Sequence, residues 1–255
     1  MLYKNNTMNN FKSSAELKAI AKEKLLGQYS TTIGAILLIF CISFMLNGIV
    51  VTVAYPSSIL TFVIYQIALF IIELLMGIFV AGRTYMYMNI IYSQPSSVSD
   101  IFYVLTSHPD KALGIQLVFS GISLIANIPS FIFIEFFYGT SDQYSTAASL
   151  CILISCIGLL VYIYVALTLS QSFYILLDFP DRSLMDILKT SVRLMKGNKF
   201  RLFYIYISFI PLMLLCVITL FVPLLWLRSY MDATMAAFYQ DLIAVTSANM
   251  ASENH

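Results

Sequence analysis

Long apolar runs, separated by short polar stretches, dominate the pattern of this sequence. Five runs, typified by AILLIFCISFMLNGIVV, are long enough to cross a hydrocarbon layer, which takes roughly 20 residues of helix. A transmembrane barrel would instead show alternating segments of about 10 residues. The pattern therefore predicts an all-α, polytopic transmembrane helix bundle of about five spans. Their expected bounds are 33–53, 59–82, 113–138, 147–177 and 202–227.

Two polar stretches have the periodicity of amphipathic helices that lie along a membrane surface. SSAELKAIAKEKLLG begins with a capping box between Ser13 and Glu16, and Gly27 is expected to end its helix. The second, LMDILKTSVRLMKGN, separates a cationic face from an apolar face, and Gly197 or Asn198 is expected to end it.

The predicted elements divide the chain into three regions. Residues 1–30 form a cytoplasmic tail and interfacial helix, and 31–227 form the transmembrane bundle. Residues 228–255 form a carboxyl-terminal amphipathic tail. Its stretch YMDATMAAFYQDL predicts a short helix that folds back onto the outer surface or the bundle.

Positive charge is distributed unevenly and predicts the orientation of the chain. Of the 14 Lys and Arg residues, all but Arg228 precede the first span or lie between spans two and three or spans four and five. With five crossings these regions share one side, which the positive-inside rule assigns to the cytoplasm. The amino terminus is then cytoplasmic and the carboxyl terminus extracytoplasmic. A double crossing by residues 202–245 stays open because of Pro211 and Pro223.

Composition supports an integral membrane protein and offers no catalytic set. Mean hydropathy is +0.85 and only 11% of residues are charged, against about a quarter in soluble domains. The four cysteines lie in apolar spans, and the two histidines are isolated. Neither a phosphate-binding Gly-rich loop nor a metal-ligand spacing is present. We therefore expect no catalytic residue, metal, cofactor or nucleic-acid partner.

Two groups of polar residues are candidate sites. Glu73 lies near the middle of the second span, where an acid is a functional hypothesis by default. Counting residues from the inner boundaries places four other polar residues at a comparable depth: Ser123, Thr168, Gln171 and Ser208. The second group is cationic and predicts contact with anionic lipid headgroups on the cytoplasmic side: Lys189, Arg193, Lys196, Lys199 and Arg201. For both groups a purely structural role is the alternative, in helix packing for the first and in topology for the second.

A family resemblance covers both ends of the chain. The run YILLDFPDRSLMDILKTSVRLMKGNKFRLFYIYISFIPL and the later LLWLRSYMDATMAAFYQDL resemble the bacterial membrane-protein family called domain of unknown function 975. The positions that carry this resemblance are Asp178, Pro180, Ser191, Met195, Gly197, Asn198, Lys199, Phe238 and Tyr239. The resemblance implies a multi-pass protein of the bacterial cell membrane. It implies no activity, ligand or catalytic residue.

Three function classes remain. The preferred one is a non-catalytic membrane protein that acts through lipids or a partner membrane protein, because basic surface helices are present and catalytic motifs are not. The second is a small transporter, channel or permease-like component that uses Glu73 as an intramembrane coupling site. The third is a lipid-modifying enzyme, for which the sequence offers no recognisable constellation of residues.

Overall fold

The computed structural model describes residues 11–53, 58–137, 145–219 and 221–253. This part of the chain is helical, which confirms the predicted all-α bundle. The helices are α1 (Ser14–Leu25), α2 (Tyr29–Val53), α3 (Ile59–Ile91), a 3-10 helix (Val98–Phe102) that continues into α4 (Tyr103–Ser107), α5 (Pro109–Phe136), α6 (Thr146–Leu169), α7 (Ser172–Asp178), α8 (Leu184–Leu194), α9 (Lys199–Ile207), α10 (Ile210–Ile218) and α11 (Leu224–Glu253).

Five stretches of the described chain are long and apolar enough to cross a membrane: Tyr29–Val53, Ile59–Ile91, Pro109–Ile134, Thr146–Asp178 and Lys199–Ile218. They overlap the five predicted spans. The fifth ends nine residues before the predicted 227, because the chain leaves the helix at Thr219 and turns at Phe221, whose φ is +63°. Leu224 then begins a new helix.

That new helix, α11, lies against the bundle, one of the two positions expected for the carboxyl-terminal tail, but it is longer than the short helix expected. It is 30 residues long and packs against α1, α2 and α3. From Leu224 to Asp241 it covers about 25 Å at a rise of about 1.5 Å per residue. The Asp241 carboxylate then accepts a hydrogen bond from the Lys12 backbone N–H at 3.2 Å. The helix therefore returns inside the bundle to the level of Lys12, whereas opposite sides were expected.

Three short amphipathic segments each introduce a pair of long helical segments. Each segment follows a serine whose side chain or backbone N–H bonds to an acidic residue three positions later, an arrangement that stabilises the first turn. These serine and acid pairs are Ser13 with Glu16, Ser97 with Asp100, and Ser183 with Asp186. The chain is thus three consecutive units: α1 with α2 and α3; the 3-10 helix and α4 with α5 and α6–α7; and α8 with α9–α10 and α11.

The first and third units match residue for residue where the short helix joins the long one. Gly27 and Gly197 occupy the same place and have φ values of +81° and +84°, in the left-handed region that favours glycine. The side chains that face the core also correspond: Leu17 with Ile187, Ala21 with Ser191, and Leu25 with Met195, all fully buried. The same sequence device therefore turns the chain from an amphipathic helix into a span at both places.

The three units contact one another in a ring. The 3-10 helix packs on α3, α8 packs on α6 and α7, and α1 packs on α11, so each short segment lies against the last long helix of the unit before it. The last helices also meet: α3 contacts α7 and α11, and Tyr174 of α7 stacks on Tyr239 of α11 with ring centroids 5.0 Å apart. We call the end of the bundle where α1, α4 and α8 lie the basic end.

Candidate functional site

A groove at the basic end brings together part of the predicted cationic group. It lies between α8 and the end of α11 and has a volume of about 360 Å³. We call it the α8–α11 groove. Its lining is Phe179, Arg182, Thr190, Arg193, Leu194, Lys196, Asn198, Ile243, Thr246 and Ser247. This lining holds three cationic side chains and no acidic one, so an anionic group is the natural charge complement.

The cations of the groove lie on α8 or just outside its two ends, and α8 also exposes apolar side chains. Two contacts orient the Arg182 side chain. Its guanidinium donates to the Thr190 hydroxyl at 3.3 Å and lies 4.4 Å from the centre of the Phe179 ring. Beside the groove, α8 and the start of α9 expose Met185, Val192 and Phe200, the last to 86%. Exposed apolar side chains beside cations are typical of a helix at a membrane interface.

The other predicted lipid contacts do not line this groove. Lys189 is exposed on α8, outside the groove. Lys199 lies over the Tyr164 ring at 3.9 Å and donates to its hydroxyl at 2.7 Å. Arg201 is turned inward, where it pairs with the nearly buried Asp241 and donates to the Lys12 carbonyl at 2.7 Å. Arg201 therefore joins segments within the protein. Because its charge is already paired with Asp241, it does not serve as one of the groove's cations.

Lys18 of α1 is likewise drawn into the structure. Its ammonium donates to the Ser208 carbonyl at 3.0 Å and lies 3.9 Å from the centre of the Phe209 ring. Burial lowers the pKa of Lys18 from its ordinary value, since desolvation disfavours the charged form. This cation attaches α1 to the third unit.

The predicted polar layer around Glu73 does not assemble in the structure. Glu73 is exposed on the outer face of α3, although the sequence predicted that it would be shielded from lipid. The Ser123 carbonyl accepts from Asn127 Nδ2 on the same helix at 2.8 Å, and the Ser123 hydroxyl is 3.5 Å from that nitrogen. Thr168 donates to the Tyr164 carbonyl at 2.7 Å, and Ser208 donates to the Ile205 carbonyl at 2.6 Å. These bonds stay within each helix, and none of them reaches Glu73.

Gln171 alone of that group lines a polar cavity, and the cavity contains three charged residues that sequence reasoning missed. Arg228 Nε donates to the Asp232 carboxylate at 3.1 Å, and Arg83 Nε lies 3.4 Å from the same oxygen. A signal was present: RTYM at 83–86 recurs as RSYM at 228–231, with Asp232 one turn after Arg228. By charge distribution alone, Arg83 counts among the positive-inside cations and Arg228 is the exception to them.

In the part of the chain that the structure describes, no group of residues is arranged to hold a metal ion. No three His, Cys, Asp or Glu side chains converge there. The charged residues of the cavity are arginines bound to a carboxylate, which suits recognition of an anion through hydrogen bonds.

Comparison with known proteins identifies a family whose function is unknown. The profile of the family described as "Protein of unknown function (DUF975)" matches residues 8–246. The chain belongs to this family. The match runs through all three units, so the repeated architecture and both candidate sites lie within the family's domain. Neither the curated proteins nor the solved structures contain a match.

Proposed function

We propose that this member of the DUF975 family is a non-catalytic membrane protein that binds anionic phospholipid in the α8–α11 groove. The observation that carries the proposal is the joint presence of Arg182, Arg193 and Lys196 in one groove. The lining of this groove also includes three apolar side chains: Phe179, Leu194 and Ile243. A phospholipid combines the two matching features, an anionic phosphate and an apolar chain. Each cation near an anionic membrane surface contributes about 1 kcal/mol.

The proposal includes an orientation. Among the described Lys and Arg residues, all except Arg83 and Arg228, which meet at Asp232, lie in the short helices and loops at the basic end or next to them. Under the positive-inside rule this end faces the cytoplasm of a bacterial cell. The cytoplasmic leaflet is also where anionic lipid gives the surface a negative potential. Charge distribution and proposed ligand therefore agree.

The experiment compares two double variants of equal charge. Arg193→Gln with Lys196→Gln removes two groove cations, and Lys22→Gln with Lys189→Gln removes two exposed cations outside the groove. We expect the first pair to weaken binding of phosphatidylglycerol to the purified protein by about tenfold or more, since each cation adds about 1 kcal/mol. The control pair should have a much smaller effect. Native mass spectrometry, with phosphatidylcholine as the neutral reference, measures retained lipid.

Three outcomes separate the possibilities. Equal losses of bound phosphatidylglycerol in both double variants would mean that the lipid is attracted to the basic surface as a whole and does not bind specifically in the groove. Unchanged lipid retention in both, with normal folding, would contradict the proposal. Capture of a specific membrane protein that competes with phosphatidylglycerol for the groove would favour the partner-protein form of the preferred function class.

A small transporter or permease-like component is the second candidate. One observation favours it: two long segments are interrupted beside the polar cavity, at Ser170 between α6 and α7, and at Ser208 between α9 and α10. Interrupted transmembrane helices are typical of transporter sites. Glu73 is exposed outside the cavity, so coupling would have to begin with Arg83, Arg228 and Asp232. Flux into proteoliposomes, compared between wild type and Arg83→Gln, tests this candidate.

A further inference from the structure

The polar cavity lies where the last long helices of the three units meet. Its volume is about 160 Å³, and α3, α7 and α11 provide most of the wall. Arg83 and Tyr87 come from α3, and Arg228 and Asp232 from α11. The cavity therefore draws on all three units and stands apart from the α8–α11 groove.

The charges in the cavity do not balance. Two guanidinium groups face one carboxylate, and both contacts to Asp232 run through the arginine Nε atoms. The terminal guanidinium nitrogens, which form the fork that binds a planar or tetrahedral oxyanion, are not used by these contacts. The side chains of Arg83 and Asp232 are only 19% and 17% exposed, and that of Arg228 is 45% exposed at the edge of the cavity. One positive charge in this sheltered place lacks a counter-charge in the triad, and an anion would supply it.

One buried polar atom of the same cavity lacks a partner in the part of the chain that the structure describes, namely Oε1 of Gln171, which is 2% exposed. The Tyr87 hydroxyl, which is 1% exposed, makes no hydrogen bond of ordinary geometry and has the Ser229 side chain beside it. A buried polar group without a hydrogen bond costs about 1 to 3 kcal/mol, so such groups are rare unless something binds there. A phenol hydroxyl can donate to an oxyanion, and an amide oxygen can accept from a protonated one.

Two long helical segments are also locally irregular near the cavity, although the residues at both breaks keep right-handed helical dihedrals. The break between α6 and α7 falls at Ser170 and Gln171, both of which line the cavity. The break between α9 and α10 begins two residues after Tyr206, another lining residue. Irregular backbone at membrane depth is tolerated where it lines a polar cavity, and such breaks recur at ligand sites in membrane proteins.

We propose that the cavity of Arg83, Arg228 and Asp232 is a binding site for a small, singly charged oxyanion, a carboxylate or a dihydrogen phosphate. The net charge of the triad is +1, which matches a monoanion. The volume would hold about five waters at about 30 Å³ each, enough for such an anion with water beside it. A cation would meet the uncompensated positive charge, and a long acyl chain would not fit this volume.

Binding of inorganic phosphate, acetate and sulfate to the full-length protein in detergent tests the site, with chloride as the monatomic reference. Isothermal titration calorimetry and ligand-dependent thermal shift provide the readouts. We expect saturable binding of phosphate or acetate in the wild type. Arg83→Gln and Arg228→Gln each make the triad neutral and should weaken it at least tenfold, whereas Lys22→Gln, at an exposed position outside both sites, should leave it unchanged.

Two further variants distinguish a ligand site from a structural ion pair. Asp232→Asn raises the charge of the triad to +2 and should shift preference toward divalent sulfate, whereas a structural role predicts only loss of stability. Tyr87→Phe removes a hydroxyl whose neighbour is the Ser229 side chain, and Ser229 also donates to the Leu225 carbonyl, so stability without ligand should change little. Anion affinity should fall about tenfold, as expected for one charge-assisted hydrogen bond. Tyr85→Phe, outside the cavity, is the matched control.

The proposal fails if none of the three oxyanions binds saturably to folded wild type, or if binding survives both arginine variants. If a phospholipid co-purifies with the wild type and is lost from Arg83→Gln, the cavity binds a lipid headgroup. That outcome would contradict the proposal of a small soluble ligand. Loss of lipid only from the groove variants would leave this site intact, because the two sites share no lining residue.

Discussion

Asp241 of α11 forms an ion pair with Arg201 at the start of α9, and the same carboxylate accepts a hydrogen bond from the backbone N–H of Lys12 at 3.2 Å. Three distant parts of the chain therefore meet at the basic end. Because α11 begins at the far end of α10, this meeting requires α11 to run back through the bundle. With α11 counted as a crossing, the three units give six crossings, two in each.

The first prediction concerns topology. A reporter fused after His255 should lie on the same side of the membrane as one inserted before Ser13, since Lys12 and Asp241 touch. A paired phosphatase and fluorescent-protein assay in cells measures the side of each fusion. Reporters on opposite sides would contradict the placement of α11 and return the chain to five crossings.

The second prediction concerns the stability of the same junction. The Asp241 side chain is 4% exposed, so Asp241→Asn leaves the buried Arg201 charge without its counter-ion. We expect a loss of about 3 to 5 kcal/mol, the usual cost of removing one partner of a buried pair. Thermal unfolding in detergent measures it, and Asp181→Asn, at an exposed position, is the control. Equal stability of the two variants would mean that the ion pair is dispensable.

Much of the fold follows from local patterns in the sequence. Apolar runs predict the long helices, and the stripe of Leu17, Ala21 and Leu25 predicts the buried face of α1. The carboxyl-terminal helix was predicted, but not the length and burial of α11, because Arg228, Asp232 and Asp241 lower its hydropathy, so that it resembles a surface helix. Its polar groups are acceptable inside the bundle only because each finds a charged partner on another segment or one turn away.

The candidate sites are harder to predict from the sequence than the fold is. Glu73 was selected by depth in its span, but depth does not tell which way a side chain faces, and Glu73 faces outward. Conversely, Arg83 and Arg228 are far apart in sequence and meet only through Asp232. Both arginines lie on the last long helix of their unit. The repeat is hard to recognise in the sequence because residues at corresponding positions have largely diverged.

The third prediction concerns the two glycines that join amphipathic helices to spans. Gly27→Ala and Gly197→Ala each force a Cβ into the left-handed region and should cost about 1 to 2 kcal/mol. Gly48→Ala and Gly121→Ala are matched controls, because both positions are helical and have open space around the added Cβ. Alanine has the higher helix propensity, so the controls should be neutral or slightly stabilising. Similar effects at all four sites would mean that left-handed strain is unimportant here.

The fourth prediction concerns the close contact between α3 and the 3-10 helix. A Cβ added at Gly82 would lie 1.9 Å from the carbonyl oxygen of Ile101, which is backbone and cannot rotate away. Gly82→Ala should therefore separate the two segments and cost about 1 to 3 kcal/mol or more, as overpacked substitutions do. Hydrogen exchange around Ile101 should rise in this variant. Protection equal to that of Gly121→Ala would show that the contact is looser than the structure indicates.

The last prediction concerns Glu73, which the sequence singled out and the structure places on the outer face of α3 near Tyr162. An acid at membrane depth costs about 3 kcal/mol on the insertion scale, whereas leucine contributes favourably. Glu73→Leu should therefore raise the unfolding temperature or leave it unchanged, and Glu73→Gln should lie between Leu and wild type. A hydrogen-bonded acid inside the bundle would give the reverse order, with Leu the least stable. If Gln preserves the fold but abolishes flux in proteoliposomes, Glu73 takes part in coupling. An unchanged flux in Gln, alongside loss of flux in Arg83→Gln, would assign any transport to the cavity.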